Sequence, residues 1–149
     1  MNNKLIISEK GSNLIYYCSY FQLIVCLFSF YYKVYDCSLI TMVTFYTSIN
    51  YWKNPIYNSN RRIIDITCVL SGIIYHGYII KDYYFSTKYY SLIGVGSLLY
   101  PLGFYLNKNK ETMIAVNHCT LQLIADVIAI NIYKSIYNEK YNQISDGVN

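Results

Sequence analysis

The chain has 149 residues, of which 54% are hydrophobic and only 13% charged, and its formal net charge is +4. The charged share is about half that of an ordinary soluble protein, and the length suits one domain. The positive charge lies between the apolar runs and forms no basic block, so nothing in the sequence indicates nucleic-acid binding. Abundant Lys, Ile, Asn and Tyr are typical of an AT-rich genome, such as that of a protist or a large virus.

The five cysteines lie within or at the edge of apolar runs, and none belongs to a C-x-x-C pair. Neither a disulfide framework nor a structural zinc site is indicated. We expect reduced thiols that behave as small hydrophobic side chains.

The first apolar run follows a polar segment, residues 1–12, and predicts a membrane span over about residues 13–32. It is too long and too aromatic for a cleaved signal peptide. A short turn with Lys33 and Asp36 leads into a second span over about residues 37–53, which ends at an aromatic pair typical of a membrane interface. Pro55 favours an extended conformation at the residue before it, so the second helix is expected to end there.

Three further runs predict spans over about residues 63–80, 89–106 and 113–133. A crossing helix needs about 20 apolar residues, and short loops make neighbouring helices antiparallel. The fourth run contains three glycines and Pro101, which indicates a kink or a close helix contact. Residues 134–149 are expected to be a mobile polar tail. The prediction is an all-α membrane protein, a single domain over residues 1–149, with about five transmembrane helices in an up-down antiparallel bundle.

A soluble helical bundle is the competing architecture, and it requires polar residues every turn on an outer face. The first and fourth runs are apolar on all sides, which favours the membrane. With five spans, seven Lys and Arg residues lie on the side of the N-terminus and five on the other side. The excess of positive charge predicts a multi-pass protein with a cytoplasmic N-terminus.

This topology brings polar residues from three spans to one membrane face. Ser48 ends the second span, Asp65 begins the third and His118 begins the fifth, with Trp52 and Asn117 beside them. Read singly, Ser48 would bond its own helix, Asp65 would pair with Arg61 or Arg62, and His118 would reach the headgroups. We expect instead that Asp65 and His118 face the interior within water-bridged reach of each other, and that Trp52 caps the site at headgroup level instead of entering it.

Deeper polar residues form a second group. His118, Gln122 and Asp126 lie on one stripe of the last helix, and His76 lies at a similar predicted depth to Asp126. An unpaired carboxylate in a membrane is costly and is expected to be either protonated or partnered, and His76 is the natural partner, which predicts an intramembrane pair of His76 with Asp126. Structural contacts between helices are the simplest role for this pair, and a path for protons or small solutes is the alternative.

The stretch SINYWKNPIYNSNRRIID, together with a His near the start of the last span, resembles the alkaline ceramidase and adiponectin-receptor group of membrane hydrolases. In that group a Ser, an Asp and three His residues build a zinc site that hydrolyses lipid amides. The resemblance implies catalytic roles for Ser48, Asp65 and His118. Trp52 stands where the first zinc-binding His would be, and Gln122 replaces the second His of the last pair.

The leading interpretation is a structural or interaction component of its membrane, without a cofactor and without catalysis. Its partners would be the lipid bilayer and other membrane proteins or further copies of itself. A reduced relative of the lipid-amide hydrolases is the second interpretation, and only there is zinc implied. A small transporter or proton-conducting protein that uses His76 and Asp126 is the third.

Overall fold

The computed structural model describes residues 5–106 and 110–146. Its regular structure is helical, and an isolated bridge between Leu5 and Ile56 is the one β-type contact in this part of the chain. The predicted all-α class is confirmed. The helical segments are α1 (Glu9–Cys18), α2 (Phe21–Tyr31), α3 (Tyr35–Trp52), α4 (Asn60–Ile80), α5 (Ser86–Leu106) and α6 (Glu111–Asp146).

The first two segments form one bent helix. Ser19 and Tyr20, which join them, keep right-handed helical torsions, but Tyr20 N–H donates to the Tyr17 carbonyl three residues back. The Ser19 hydroxyl also donates to the Ile15 carbonyl, a bond that often bends helices. We call this unit α1/α2, and with it the described chain contains five helices.

The five helices form a ring in which each contacts its two neighbours, and α6 closes the ring against α1/α2. Consecutive helices run in opposite directions: Ser29 of α2 meets Ser38 of α3, and Tyr90 of α5 meets Gly77 of α4. The closing pair runs in parallel, because α1/α2 is the first helix of the alternating series and α6 is the fifth.

A short N-terminal segment fastens the ring at one end. Ile6 N–H donates to the Pro55 carbonyl in the loop between α3 and α4, and Ser8 N–H donates to the Glu111 carboxylate at the start of α6. Between them, Ile7 is fully enclosed. We call Leu5–Ser8 the N-terminal strap.

The outer surface of the bundle carries many large apolar side chains. Such residues are exposed on every helix, while small or polar side chains make up much of the buried interior. The soluble-bundle alternative requires a polar outer face; among the described residues, α6 presents one at Asn131, Lys134 and Asn138, whereas α2 to α5 are mostly apolar outside. The buried polar residues are Ser12, Ser19, Gln22, Ser29, Ser38, Thr41, Thr47, Ser48, Asp65 and His76.

Within residues 5–106 and 110–146, three helices are long and apolar enough to cross a membrane: Glu9–Tyr31, Asn60–Ile80 and Glu111–Lys140. They correspond to the first, third and fifth predicted spans, so a membrane location agrees with the structure. The fourth predicted span coincides with α5 and the second with α3. These two helices do not meet the joint requirement of length and apolar composition that the other three meet.

Residues 134–146 of the predicted polar tail continue the last helix. Helix α6 continues to Asp146, and Ile132, Tyr133 and Ile136 on one side of it are buried in a core cluster with Val25 and Ile80. Between Glu111 and Asp146 the sequence contains no Gly or Pro that would end the helix, and burial of these apolar side chains stabilises its continuation. Residues 147–149 of the predicted tail lie outside the described residues.

Glycine substitutions test the helix contacts. A Cβ on Gly72 of α4 would lie 3.3 Å from the Ile40 side chain of α3, whereas Gly94 of α5 has open space around it. We expect Gly72→Leu to destabilise the protein by about 1–3 kcal/mol through overpacking. The matched control Gly94→Leu should be neutral or slightly stabilising because Leu is the better helix former. Equal losses for both variants in detergent unfolding would contradict this arrangement of α3 and α4.

Candidate functional site

Asp65 is held by two hydroxyl groups of the neighbouring helix. Its Oδ1 lies 2.7 Å from Ser48 Oγ and 3.1 Å from Thr47 Oγ1, and all three residues are buried. The contact forms because the end of α3 lies beside the start of α4 in a tight antiparallel hairpin. Ser48 and Asp65, which the sequence analysis expects at the same end of the bundle, are therefore joined by a hydrogen bond.

The two arginines nearby do not take part in this contact. Arg61 donates to the Asn50 carbonyl, and Arg62 donates to the Tyr57 carbonyl and stacks over the Tyr57 ring at 4.6 Å. Asp65 thus faces the interior of the bundle, while the arginine side chains point to its outer edge.

His118 lies in an aromatic enclosure at the same end of the ring. Its imidazole makes edge contacts with Trp52, at 5.0 Å between ring centroids, and with Tyr100, at 5.6 Å. Trp52 is buried, with only 7% of its surface exposed. The Trp52 ring thus lies inside the site beside His118, whereas the prediction has it capping the site from outside. The ring turns inward because the N-terminal strap and α1 supply an apolar cluster for it.

A cavity of about 30 Å³ adjoins His118, with room for about two water molecules. The strap covers it with Ile6 and Ile7, and Asn117 provides polar lining beside the imidazole. Asn117 also packs directly against Gly103 of α5, where a Cβ would overlap its amide. The predicted close helix contact thus occurs at Gly103, while Gly94 and Gly96 have no atom within 4 Å of a built Cβ.

Tyr100 is the site residue that sequence reasoning missed. It contacts His118 and lies close enough to Asp65 to interact with it electrostatically. Its position directly before Pro101 was the available signal, but with 20 tyrosines in the chain no single one stands out. Tyr100 therefore belongs to the aromatic enclosure of His118.

Zinc does not fit this end of the ring. Among residues 5–106 and 110–146, no three His, Cys, Asp or Glu side chains are grouped closely enough to hold a metal ion. A catalytic zinc takes three protein ligands, and here the Trp52 indole occupies the space beside His118. No chemical step through a metal can be derived from these residues.

His76 is part of a separate hydrogen-bonded chain at the centre of the ring. Its Nδ1 lies 2.7 Å from the Gly72 carbonyl, and its Nε2 lies 2.7 Å from Tyr133 Oη. A carbonyl only accepts, so Nδ1 donates, and in a neutral imidazole Nε2 accepts from the tyrosine hydroxyl. Tyr133 Oη in turn lies 3.5 Å from Thr41 Oγ1.

The expected pair of His76 with Asp126 is not the contact that the structure shows. Both nitrogens of His76 bond elsewhere, and its partner Tyr133 lies two turns beyond Asp126 on α6. The depth argument aligned the predicted starts of the two spans, but α6 is shifted by about 10 Å relative to α4. Asp126 Oδ2 and Gln122 Nε2 are both buried without a hydrogen-bond partner.

Comparisons with known proteins give no relative for this arrangement. No protein-family model, curated protein or solved structure matches the chain.

The His76 contact predicts a cost for a single hydroxyl. Tyr133→Phe leaves His76 Nε2 as a buried acceptor without a donor, and we expect a loss of about 1–3 kcal/mol in the free energy of unfolding. Tyr46→Phe is the matched control, because Tyr46 is 67% exposed on the outer face of α3. Both variants are compared by thermal unfolding in detergent, and equal stabilities would show that the hydroxyl does not hold His76.

Proposed function

We propose that the protein is a five-span integral membrane protein that serves as a structural or interaction component of its membrane. The observation that carries this proposal is the outward apolar surface of all five helices. On α3, for example, Leu39, Met42, Val43 and Tyr46 are exposed, and on α5 Val95, Leu98 and Leu102 are exposed. In water such faces would drive aggregation, whereas lipid covers them without cost.

The lengths of α3 and α5 support their crossing. Helix α3 has 18 residues and α5 has 21, which correspond to about 27 and 31 Å at 1.5 Å per residue. The hydrocarbon core is about 30 Å thick. Each helix carries one charged residue, Asp36 or Lys88, and both lie near a helix start, where headgroups and water are within reach.

The interior supports an interaction role over transport. His76, Thr41 and Tyr133 bond to one another, and Asp65 accepts from two hydroxyls, so these polar groups hold helices together. The cavity beside His118 is water-sized and ends beneath the strap. What remains open to partners is the outer surface, including the uncovered Gly94 and Gly96 of α5.

Topology tags test the five-span proposal. Tags at residues 3 and 146 should report opposite sides of the membrane, with the N-terminus in the cytoplasm. If only the three most apolar helices crossed, these two tags would still lie on opposite sides. Positions 58 and 82, in the loops before and after α4, therefore decide between three spans and five.

With five spans, residue 58 lies on the side of the N-terminus and residue 82 on the side of residue 33. With three spans, these two positions exchange sides. Single-cysteine variants on a cysteine-free background, labelled by an impermeant reagent in sealed vesicles, distinguish the outcomes. The reversed pattern at 58 and 82 would leave α3 and α5 on the membrane surface and would contradict the proposal.

A reduced relative of the lipid-amide hydrolases is a second candidate, and one observation favours it. The Ser48–Asp65 bond of 2.7 Å joins two of the residues that the resemblance assigns to the site, at the end of the ring that holds His118. This chain lacks two of the zinc-binding His residues of that group. The second candidate is therefore a protein that keeps the pocket of such an enzyme but does not bind its metal.

Restoring the missing ligands tests that ancestry. Trp52 already contacts the His118 ring, and Gln122 follows His118 by one helical turn. If the site descends from a zinc hydrolase, Trp52→His combined with Gln122→His should bind one zinc per chain, measured by metal analysis of purified protein. The single variants are the controls and should bind less. An absence of bound zinc in the double variant, with folding intact, would remove this candidate.

A further inference from the structure

The parallel pair of α1/α2 and α6 packs along a regular seam. On α1/α2 the seam residues alternate in steps of four and three, as do those on α6, which is the spacing of a coiled coil. The register is fixed at one end by Gly11, whose Cβ would lie 3.6 Å from that of Ala115, and at the other by the Tyr32 and Tyr137 rings, 5.9 Å apart. The two series are Gly11, Ile15, Cys18, Gln22, Val25 and Ser29, and Ala115, Cys119, Gln122, Asp126, Ala129 and Tyr133.

At the middle of the seam this register places Gln22 level with Asp126, and Cys18 level with Gln122. Cys18 Sγ lies 3.8 Å from the Cys119 carbonyl oxygen, a contact between the two helices that agrees with this register. Gln22 is only 9% exposed. Three side-chain atoms here are buried without a hydrogen-bond partner: Gln22 Oε1, Gln122 Nε2 and Asp126 Oδ2.

The missing partner is a donor for two facing acceptors. Ionised Asp126 Oδ2 and Gln22 Oε1 both accept, and neither of the two N–H groups of Gln122 Nε2 bonds to them, so both acceptors stay unpaired in a setting where that is costly. One added proton makes Asp126 a donor as well. Gln122 Nε2 can then donate to the Asp126 carboxyl, which donates to Gln22 Oε1. A metal cation fits this site less well than a proton does. Metal cations bind several oxygen ligands, whereas Gln122 presents an N–H group here.

We propose that Gln22, Gln122 and Asp126 form a proton-binding site within the membrane, in which Asp126 is a neutral carboxylic acid that donates to the Gln22 amide oxygen. The proposal rests on the membrane location proposed above, because a bilayer makes an unpaired carboxylate expensive. The proton comes from water when the helices assemble.

The ionisable groups around this site are few. Cys18 faces it from α1, and His118 lies two turns away on α6 in its aromatic enclosure. From α4, His76 is bonded to Tyr133. On α5 the antiparallel register set by Tyr100 and His118 places the apolar Leu92 and Ile93 at this level.

Infrared spectroscopy of the full chain in lipid nanodiscs at neutral pH tests the proposal. The wild-type spectrum should contain a carboxylic acid C=O band that is lost in Asp126→Asn. Asp36→Asn is the matched control, because Asp36 is exposed at the start of α3, and it should leave the band unchanged. Asn keeps a donor and an acceptor, so Asp126→Asn should also keep the thermal stability.

A second variant keeps the test decisive if Asp126→Asn does not fold. Gln22→Met leaves Asp126 in place but removes its acceptor, so the acid band should move to higher frequency. A wild-type spectrum without an acid band that depends on Asp126 would overturn the proposal, even where the topology tags confirm five spans. Failure of the tags with the band present would count against the membrane topology alone.

Discussion

The structure depends on the contacts that hold together helices whose outer surfaces are largely apolar. In a soluble bundle, burial of apolar side chains drives association, but lipid removes that difference between inside and outside. This chain accordingly turns many of its large apolar residues outward and joins its helices through hydroxyls, small residues and a few ionisable groups. Ser29 meets Ser38, Ser48 meets Asp65, and His76 meets Tyr133, each contact joining two helices of the ring.

The sequence predicted the helices well because length and apolar character decide them directly. The meeting of Ser48 with Asp65 was also predictable, since a short loop forces α3 and α4 into a hairpin and fixes which ends adjoin. Contacts between helices distant in sequence were not predictable in this way. The partner of His76 depends on how far α6 is shifted along its axis relative to α4. That shift cannot be derived from the predicted starts of the two spans.

The inward turn of Trp52 has a related cause. At the end of a span an aromatic pair is typical of the membrane interface, and the strap that offers Trp52 an apolar contact precedes the first span. Local pattern cannot reveal that Leu5–Ser8 returns across the end of the ring. Likewise, the seam of α1/α2 with α6 is visible as a repeat only when the two helices are known to be parallel.

The closing of the ring has a consequence for the order of assembly. Helix α1/α2 is synthesised before α6, which is one of its two neighbours, so Gln22 and the N-terminal strap lack their α6 partners until α6 has been made. Until then, α1/α2 to α5 can form only an open arc, and Gln22 lies on its uncovered edge. The arrival of α6 covers this edge and closes the ring.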